Sequence, residues 1–441
     1  MRINPARPDT GGRKMNFNMA HPADQLVEIM NRIYRQGMTT TSGGNLSIRD
    51  ENGDIWITPS GIDKGSLTRD DIMQVKSDGS WIGRHRPSVE LPIHTYIYRA
   101  RPDLNGIVHA HPPALVAFSV ARRAPDSRIS AEAARMCGDV AVVGYNPPGA
   151  EALGRDVAEK FAGGCNTVLM VNHGIVCGAK DFHSAFLAFE TMNTAAQTQI
   201  NAMKLGMPRS LSDGEIERAL RAEALPGLRG ERAISGEERA ARRDLCALAL
   251  RCYRQRLFTG AEGEISLRLS DGAMLMTPRL KDRMELAPED IVYIREGCAE
   301  AGKIPGRFRE VHSAVYEQHS DVRAVITARP PAIMAYACCG AAFDSHLVSE
   351  GYICLGDVNR LEWADGAVDA RRVAGMIQPR RPVVLADSCC AVATGASLIN
   401  AFDRLEVLEC GASAVLAARD IGGATSLSED EIDMTIRALH L

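Results

Sequence analysis

Two apolar periodicities take turns along this chain. Over residues 25–36 apolar side chains recur at Leu26, Ile29, Met30, Ile33 and Tyr34, the stripe of a helix with one buried face. Residues 46–48 and 54–58 alternate with period two around Asn52-Gly53, which predicts two strands joined by a tight turn. Pro87-Ser88 is a start signal for a helix over 90–99. Residues 106–111 and 167–172 are short, β-branched and apolar, and read as buried strands. A long helix rich in Ala, Met and Leu is expected over 182–205. Helices interleaved with short strands predict α/β layers, with helices covering a sheet.

The pattern then occurs a second time. Tyr34-Arg35-Gln36 returns as Tyr253-Arg254-Gln255, and Thr58-Pro59 as Thr277-Pro278, both displaced by 219 residues. His94 and Tyr96 find counterparts in His312 and Tyr316, and Pro112-Pro113 in Pro330-Pro331. Gly138-Asp139-Val140 returns as Gly356-Asp357-Val358, and Leu211-Ser212-Asp213 as Leu427-Ser428-Glu429. So many ordered matches at a nearly constant displacement mean tandem duplication. The expected organisation is a flexible tail over 1–20, a domain over 21–222, a linker over 223–237 that carries Pro226, Gly227, Gly230 and Gly236, and a second domain over 238–441.

Composition narrows the function classes. A 441-residue chain that is 45% hydrophobic and 24% charged has the make-up of a globular protein of more than one domain. With a formal net charge of −4 and scattered Lys and Arg, no nucleic-acid partner is expected. Apolar runs are strand-sized, so no membrane span is expected either. The twelve cysteines are dispersed and form no CxxC pair, and the first 19 residues are polar, so a reduced, cytoplasmic protein is the reading.

The candidate chemistry centres on histidine. In His109-Ala110-His111, at the end of a predicted strand, residues i and i+2 face the same side, so both imidazoles can reach one ion. His173 ends another predicted strand and precedes Gly174. Three imidazoles with room left for substrate are the pattern of a catalytic centre, and imidazole suits zinc and similar first-row ions better than magnesium. The duplicate sharpens this reading. At the matched places it carries Thr327, Arg329 and Ser388, and Phe308 stands for Glu90. Packing residues have no reason to vanish as a set, whereas ligands of one ion do. His94 persists as His312 and therefore reads as a supporting residue.

The first half resembles the class II aldolase/adducin family, over roughly 22–222, and the second half resembles it in degraded form over 238–441. The carriers are Thr41-Ser42-Gly43-Gly44-Asn45-Leu46-Ser47, Thr58-Pro59-Ser60-Gly61, Pro87-Ser88-Val89-Glu90, His109-Ala110-His111-Pro112-Pro113 and Asn172-His173-Gly174. The resemblance implies a three-layer αβα sandwich with a central, mostly antiparallel sheet, present twice. It implies one divalent ion, zinc first and manganese, cobalt or iron after it, on His109, His111 and His173, with Glu90 moving the proton. It further implies a small anionic or hydroxylated substrate whose anionic end rests on Gly44, Asn45, Ser60, Gly61 and Ser88.

The activity implied is carbon–carbon cleavage, most simply by a sugar-phosphate-type aldolase. A metal-dependent decarboxylase of a hydroxy or dihydroxy-aromatic acid is the alternative, epimerisation ranks third, and a non-catalytic adducin-like scaffold is the alternative of another class. Val89 stands where sugar-phosphate aldolases have a second serine, and 128–136 lacks the tyrosine that the aldolase carries. His346 or Tyr352 of the second copy is the expected substitute for that tyrosine. Arg279 and Arg329 of the second copy are expected to fill its emptied site with solvated charge. A homo-oligomer, a dimer of two-domain chains, completes the picture.

Overall fold

The computed structural model describes residues 17–221, 224–228, 232–362 and 368–439. Of the expected tail and linker, residues 1–16, 223 and 229–231 lie outside the described residues. The chain forms two compact units, one of Met1–Ser127 with Ala133–Ala196, the other of Arg128–Glu132 with Gln197–Leu441.

The first unit is built on eight strands: β1 (Asn45–Arg49), β2 (Ile55–Ile57), β3 (Met73–Val75), β4 (Trp81–Ile82), β5 (Gly106–Ala110), β6 (Val140–Val143), β7 (Thr167–Met170) and β8 (Ile175–Ala179). They lie in the order β4-β3-β2-β1-β5-β8-β7-β6, and every pairing is antiparallel except β6 with β7. Gly53, at φ +82°, makes the tight turn expected between β1 and β2. The predicted first helix is Pro22–Arg35, which starts at a proline and buries Leu26, Ile29, Met30 and Ile33. Ile107, Val168, Met170 and Val176 of the sheet pack with Ile93 and Ile97 of the helix Leu91–Ala100 and with Val157 and Phe161 of the helix Glu151–Ala162. The alternate residues Val108, Leu169, Ile175 and Cys177 are also buried, so both faces of the central strands are covered.

The second unit repeats the plan with β9 (Glu264–Arg268), β10 (Met274–Met276), β11 (Val292–Arg295), β12 (Cys298–Ala299), β13 (Ala324–Ala328), β14 (Asn359–Leu361), β15 (Val383–Ala386) and β16 (Cys390–Gly395). Their order is β12-β11-β10-β9-β13-β16-β15-β14, the same topology strand for strand. Here the layers are plain. Ala324, Ile326 and Ala328 of β13 join one apolar cluster with residues of the helices Gly236–Arg254, Pro331–Cys339 and Leu398–Ala418. The intervening Val325 joins another with residues of Arg309–Gln318 and Ala370–Met376. The expected sheet between two helical layers is therefore present, and the sheet is present twice. Among the described residues no helix is long and apolar enough to cross a membrane.

Candidate metal centre

The antiparallel register places the site. Asn45 of β1 pairs with His109 of β5, which pairs in turn with Val176 of β8, so His109 sits mid-sheet with no exposed surface. His111 lies just past the end of β5, two residues on and hence on the same side. His173 is placed differently from the sequence expectation. It does not end a strand but lies in the four-residue turn between β7 and β8, where Asn172 takes φ +55° and His173 N–H donates to the Met170 carbonyl at 3.2 Å. A hairpin turn brings the imidazole to the same point by bending the chain back over the sheet edge.

The three histidines offer nitrogens that all lie within 4.8 Å of one another. His109 Nε2 and His111 Nε2 are 3.1 Å apart. His109 Nδ1 donates to the Ile175 carbonyl at 2.9 Å, which leaves the lone pair of the neutral ring on Nε2, aimed at His111 and Glu90. Glu90 Oε2 is 3.1 Å from His109 Nε2, and Oε1 is 3.1 Å from His173 Nε2. Nitrogen lone pairs and carboxylate oxygens that converge in a buried place repel one another unless a positive charge sits among them. The donor set, three imidazoles with one adjacent carboxylate, fits a first-row divalent ion.

The electrostatics follow from this crowding. Burial pushes the Glu90 carboxyl up, but the imidazoles of His109 and His173 outweigh burial and hold it well below the ordinary carboxylate range. Burial likewise disfavours the charged form of His109, yet the Glu90 carboxylate and the Ile175 carbonyl outweigh it, and the net shift is upward. His111 is pushed down to about 3, by burial first and by the other two imidazoles second.

Behind Glu90 runs a hydrogen-bonded chain that sequence reasoning did not assemble. Asn45 Nδ2 donates to Glu90 Oε2 at 2.7 Å, and Asn45 Oδ1 lies 2.6 Å from His94 Nε2. His94 Nδ1 is 2.6 Å from Ser47 Oγ, which is 2.9 Å from the Tyr98 hydroxyl. One direction of donation satisfies every member: Tyr98 to Ser47, Ser47 to His94, His94 to Asn45, and Asn45 to Glu90. The signal was in the duplicate, where Ser266, His312 and Tyr316 are joined in the same way. The tyrosine that repeats is Tyr98 rather than Tyr96: only Tyr98, like Tyr316, reaches the serine.

The residues expected to hold an anion are distributed as follows. Both polar atoms of the Asn45 amide are engaged, by Glu90 and His94, so its side chain positions the carboxylate. Ser88 Oγ accepts from the Glu90 N–H at 3.3 Å, beside the candidate acid/base. Pro59 bridges to Pro87, and Ser60 N–H donates to the Arg86 carbonyl at 2.9 Å, which brings Ser60 and Gly61 alongside Ser88. Gly44, at φ +72°, packs so closely that a Cβ would stand 2.7 Å from the His109 carbonyl.

In the second unit Thr327 of β13 pairs with Glu264 of β9, as His109 pairs with Asn45. His312 Nε2 finds Thr327 Oγ1 at 3.2 Å in place of an asparagine. The displacement between units is 216 at β7 and β15, and the positive φ of Asn172 recurs at Ser388. The counterpart of His173 is therefore Cys389, not Ser388. The arginines also differ from expectation. Arg329 is not solvated but nine-tenths buried, 3.4 Å from Glu262, and it donates to the Ser388 carbonyl at 3.3 Å. Arg279 donates to the Leu220 carbonyl at 3.3 Å. Hydrogen bonding with Cys390, and then the guanidiniums of Arg307 and Arg329, hold the Cys389 thiol below its ordinary range. His346 and Tyr352 meet edge to face with ring centroids 5.0 Å apart, and His346 Nε2 is 3.1 Å from Asp357.

Comparison with known proteins gives the same architecture twice over. The family model described as "Class II Aldolase and Adducin N-terminal domain" matches residues 24–200 and again 243–416. An L-fuculose phosphate aldolase of Methanococcus maripaludis is 34% identical over 176 residues, 39% of this chain and 93% of that protein. A 5-deoxy-D-ribulose 1-phosphate aldolase of Bacillus thuringiensis is 31% identical over 44% of this chain and 91% of its own length. A 3-oxo-tetronate 4-phosphate decarboxylase of Pectobacterium atrosepticum is 31% identical over 39% of this chain and 81% of its own. Each relative spans the equivalent of one unit.

Proposed function

For a chain that belongs to the class II aldolase and adducin family in both of its halves, we propose that the first half is a divalent-metal lyase that cleaves a carbon–carbon bond. The observation that carries the proposal is the convergence of His109, His111, His173 and Glu90, with Glu90 oxygens 3.1 Å from two of the three imidazoles. His109, His111 and His173 would hold the ion, zinc first among the first-row candidates. Bound there, it supplies Lewis acidity towards a substrate oxygen.

The chain's own residues account for the rest. Glu90 is ionised at neutral pH and can take the proton from a substrate hydroxyl as the bond breaks, then return it to the carbon left behind. Asn45 holds the accepting oxygen in place, backed by His94, Ser47 and Tyr98. Ser88 and Ser60, with Gly61 at the adjoining turn, offer hydroxyl groups suited to an oxyanion. Relatives whose names specify phosphorylated compounds support a phosphorylated, hydroxylated carbonyl compound as the substrate class. The reading assigns the protein to the cytoplasm, as a dimer of two-domain chains.

Decarboxylation of a phosphorylated oxo acid at the same residues is the second reading. It is supported by the decarboxylase relative and by Val89, an exposed apolar side chain where an aldolase of this type carries serine. A panel of phosphorylated ketoses and oxo acids, read both for aldehyde and for CO₂, separates the two. Aldehyde release that is lost in Glu90→Gln supports the first, CO₂ release without aldehyde supports the second, and neither product from metal-loaded protein would leave the scaffold reading.

A further inference from the structure

The second unit contains a cavity of about 470 Å³, lined by His346, Tyr352, Asp357, Arg380, Arg381 and Arg404 among others, and this size suits a small metabolite. Three of these side chains are guanidiniums, which differ in how they are held. Arg404 donates to the Thr394 carbonyl at 2.6 Å and is anchored. Arg381 is paired with Asp357 at 2.6 Å. Arg380 is exposed, and among the described residues it has no carboxylate partner. Three positive groups face one lining carboxylate, and the carboxylates of Asp403 and Asp321, outside the lining, act on Arg404, so Arg380 carries the least compensated charge of the three. Nearby Asp403 accepts from the Cys354 thiol at 3.8 Å and is not part of the lining.

The shared fold does not require these arginines. At the displacement of 216 that relates β7 to β15, and the helix beginning at Phe182 to the one beginning at Leu398, Arg380, Arg381 and Arg404 match Gly164, Cys165 and Ala188. At the displacement of 218 that relates Gly138 to Gly356, Tyr352 matches Ala134. The charge and the aromatic wall both belong to the second copy. Gly356 keeps the cavity wall closed. At φ +56° its backbone lies so near Arg380 that a Cβ would stand 1.9 Å from the Arg380 carbonyl, so only glycine lets the loop carrying Arg380 and Arg381 seat against this corner.

We infer that this cavity, built from residues of the second unit, binds a phosphate monoester of a small hydroxylated compound. A phosphate monoester is a compact anion at neutral pH whose oxygens guanidiniums receive in paired N–H bonds, and Arg380 and Arg381 are adjacent on the loop that lines this cavity. The volume exceeds what a phosphate group alone fills, and the Tyr352 and His346 rings face a body with hydroxyls to donate. The inference does not rest on the lyase reading, since every residue in it belongs to the second unit.

Calorimetric titration of the full-length protein with glycerol 3-phosphate tests it. Saturable binding is expected in the wild type and in His109→Ala, weakened at least about 10-fold in Arg380→Glu, the loss that follows from one charge-assisted contact. Arg380 is exposed, so that variant keeps its fold, and Arg404→Met provides a second loss of binding with circular dichroism as the folding control. Equal binding in wild type, Arg380→Glu and Arg404→Met would overturn the inference, as would no saturable binding to wild type. Binding lost in His109→Ala and kept in Arg380→Glu would also overturn it, by placing the ligand in the first unit. A failed lyase reading shows itself separately, as absent turnover with this binding intact.

Discussion

Replacing Asn45 with alanine removes both bonds of one amide, and the consequences can be apportioned. Glu90 loses a donor at 2.7 Å, and His94, fully buried, loses its partner at 2.6 Å. A hydrogen bond to a charged group is worth about 1.5–3 kcal/mol, and a buried polar group left unpaired costs about 1–3 kcal/mol. The single variant should therefore lose roughly 3 kcal/mol, or roughly 6–12 °C in Tm for a unit of this size. In Glu90→Gln the acceptor is neutral, and removing Asn45 from that background should cost visibly less, with a coupling of about 1–2 kcal/mol. Two-domain chains seldom unfold in one step, so the probe must report on one half. Trp56 and Trp81 lie in the first unit and the third tryptophan is Trp363, so urea unfolding followed by fluorescence in a Trp363→Phe background reports the first half. The reasoning is refuted if Asn45→Ala and Glu90→Gln add to within about 0.3 kcal/mol, because the bond from Asn45 to Glu90 would then carry no energy.

His312 is fully buried, and burial pushes its pKa down to about 3, below an unfolded value of roughly 6.5. Between those values the unfolded chain binds the proton and the folded unit does not, so stability falls as pH drops from about 6.5 towards about 3, by up to about 5 kcal/mol. Denaturation midpoints of the second half against pH should flatten in His312→Gln, and an unchanged pH slope would refute this. Gly174→Ala places a Cβ 2.5 Å from His111 Cδ2 and 2.7 Å from the Ala110 carbonyl. It should weaken zinc binding by about 10-fold or more in a competition assay with a chromogenic chelator, as misplaced ligands do, and wild-type affinity would contradict the placement of His111. Arg329→Met removes the guanidinium 3.4 Å from Glu262, a carboxylate on which Arg307 and Arg283 also act, and should cost about 1–3 kcal/mol, partly restored by adding Glu262→Gln. No change in the thermal unfolding of the second half would show that the pair is not coupled.

How far the sequence reaches depends on how the chain carries its information. Strands such as β5 and β1 were readable because buried alternation leaves a pattern in the residues themselves, and the HxH spacing of His109 and His111 follows from that pleat. The turn holding His173 was not readable as a turn, since Asn172 in a left-handed conformation has no periodic signature. Its counterpart was misplaced for a related reason. The displacement between copies is 219 at β1 and β9, 218 at β5 and β13, and 216 at β7 and β15, because connecting segments absorb length changes that strands cannot. Ser388 stands 215 residues after His173, one short of the displacement of 216 that holds at these strands, and so misses the counterpart Cys389 by one residue. The chain from Tyr98 to Glu90 joins β1 to the helix Leu91–Ala100 and its N-cap Glu90, so only their packing brings it together, although its retention as Ser266, His312 and Tyr316 was visible in the repeat. The basic cavity of the second unit is likewise a property of assembly: its arginines are scattered over 24 positions between Arg380 and Arg404.

The central claim is that His109, His111 and His173 form one ion site in the first copy and that the second copy has none. Elemental analysis of purified protein, wild type beside His109→Ala and His173→Ala, tests it most directly. The account predicts about one first-row divalent ion per chain in the wild type, lost in both variants. Wild-type protein without bound metal even after reloading with zinc, manganese, cobalt or iron, or metal content unchanged in the variants, would contradict it.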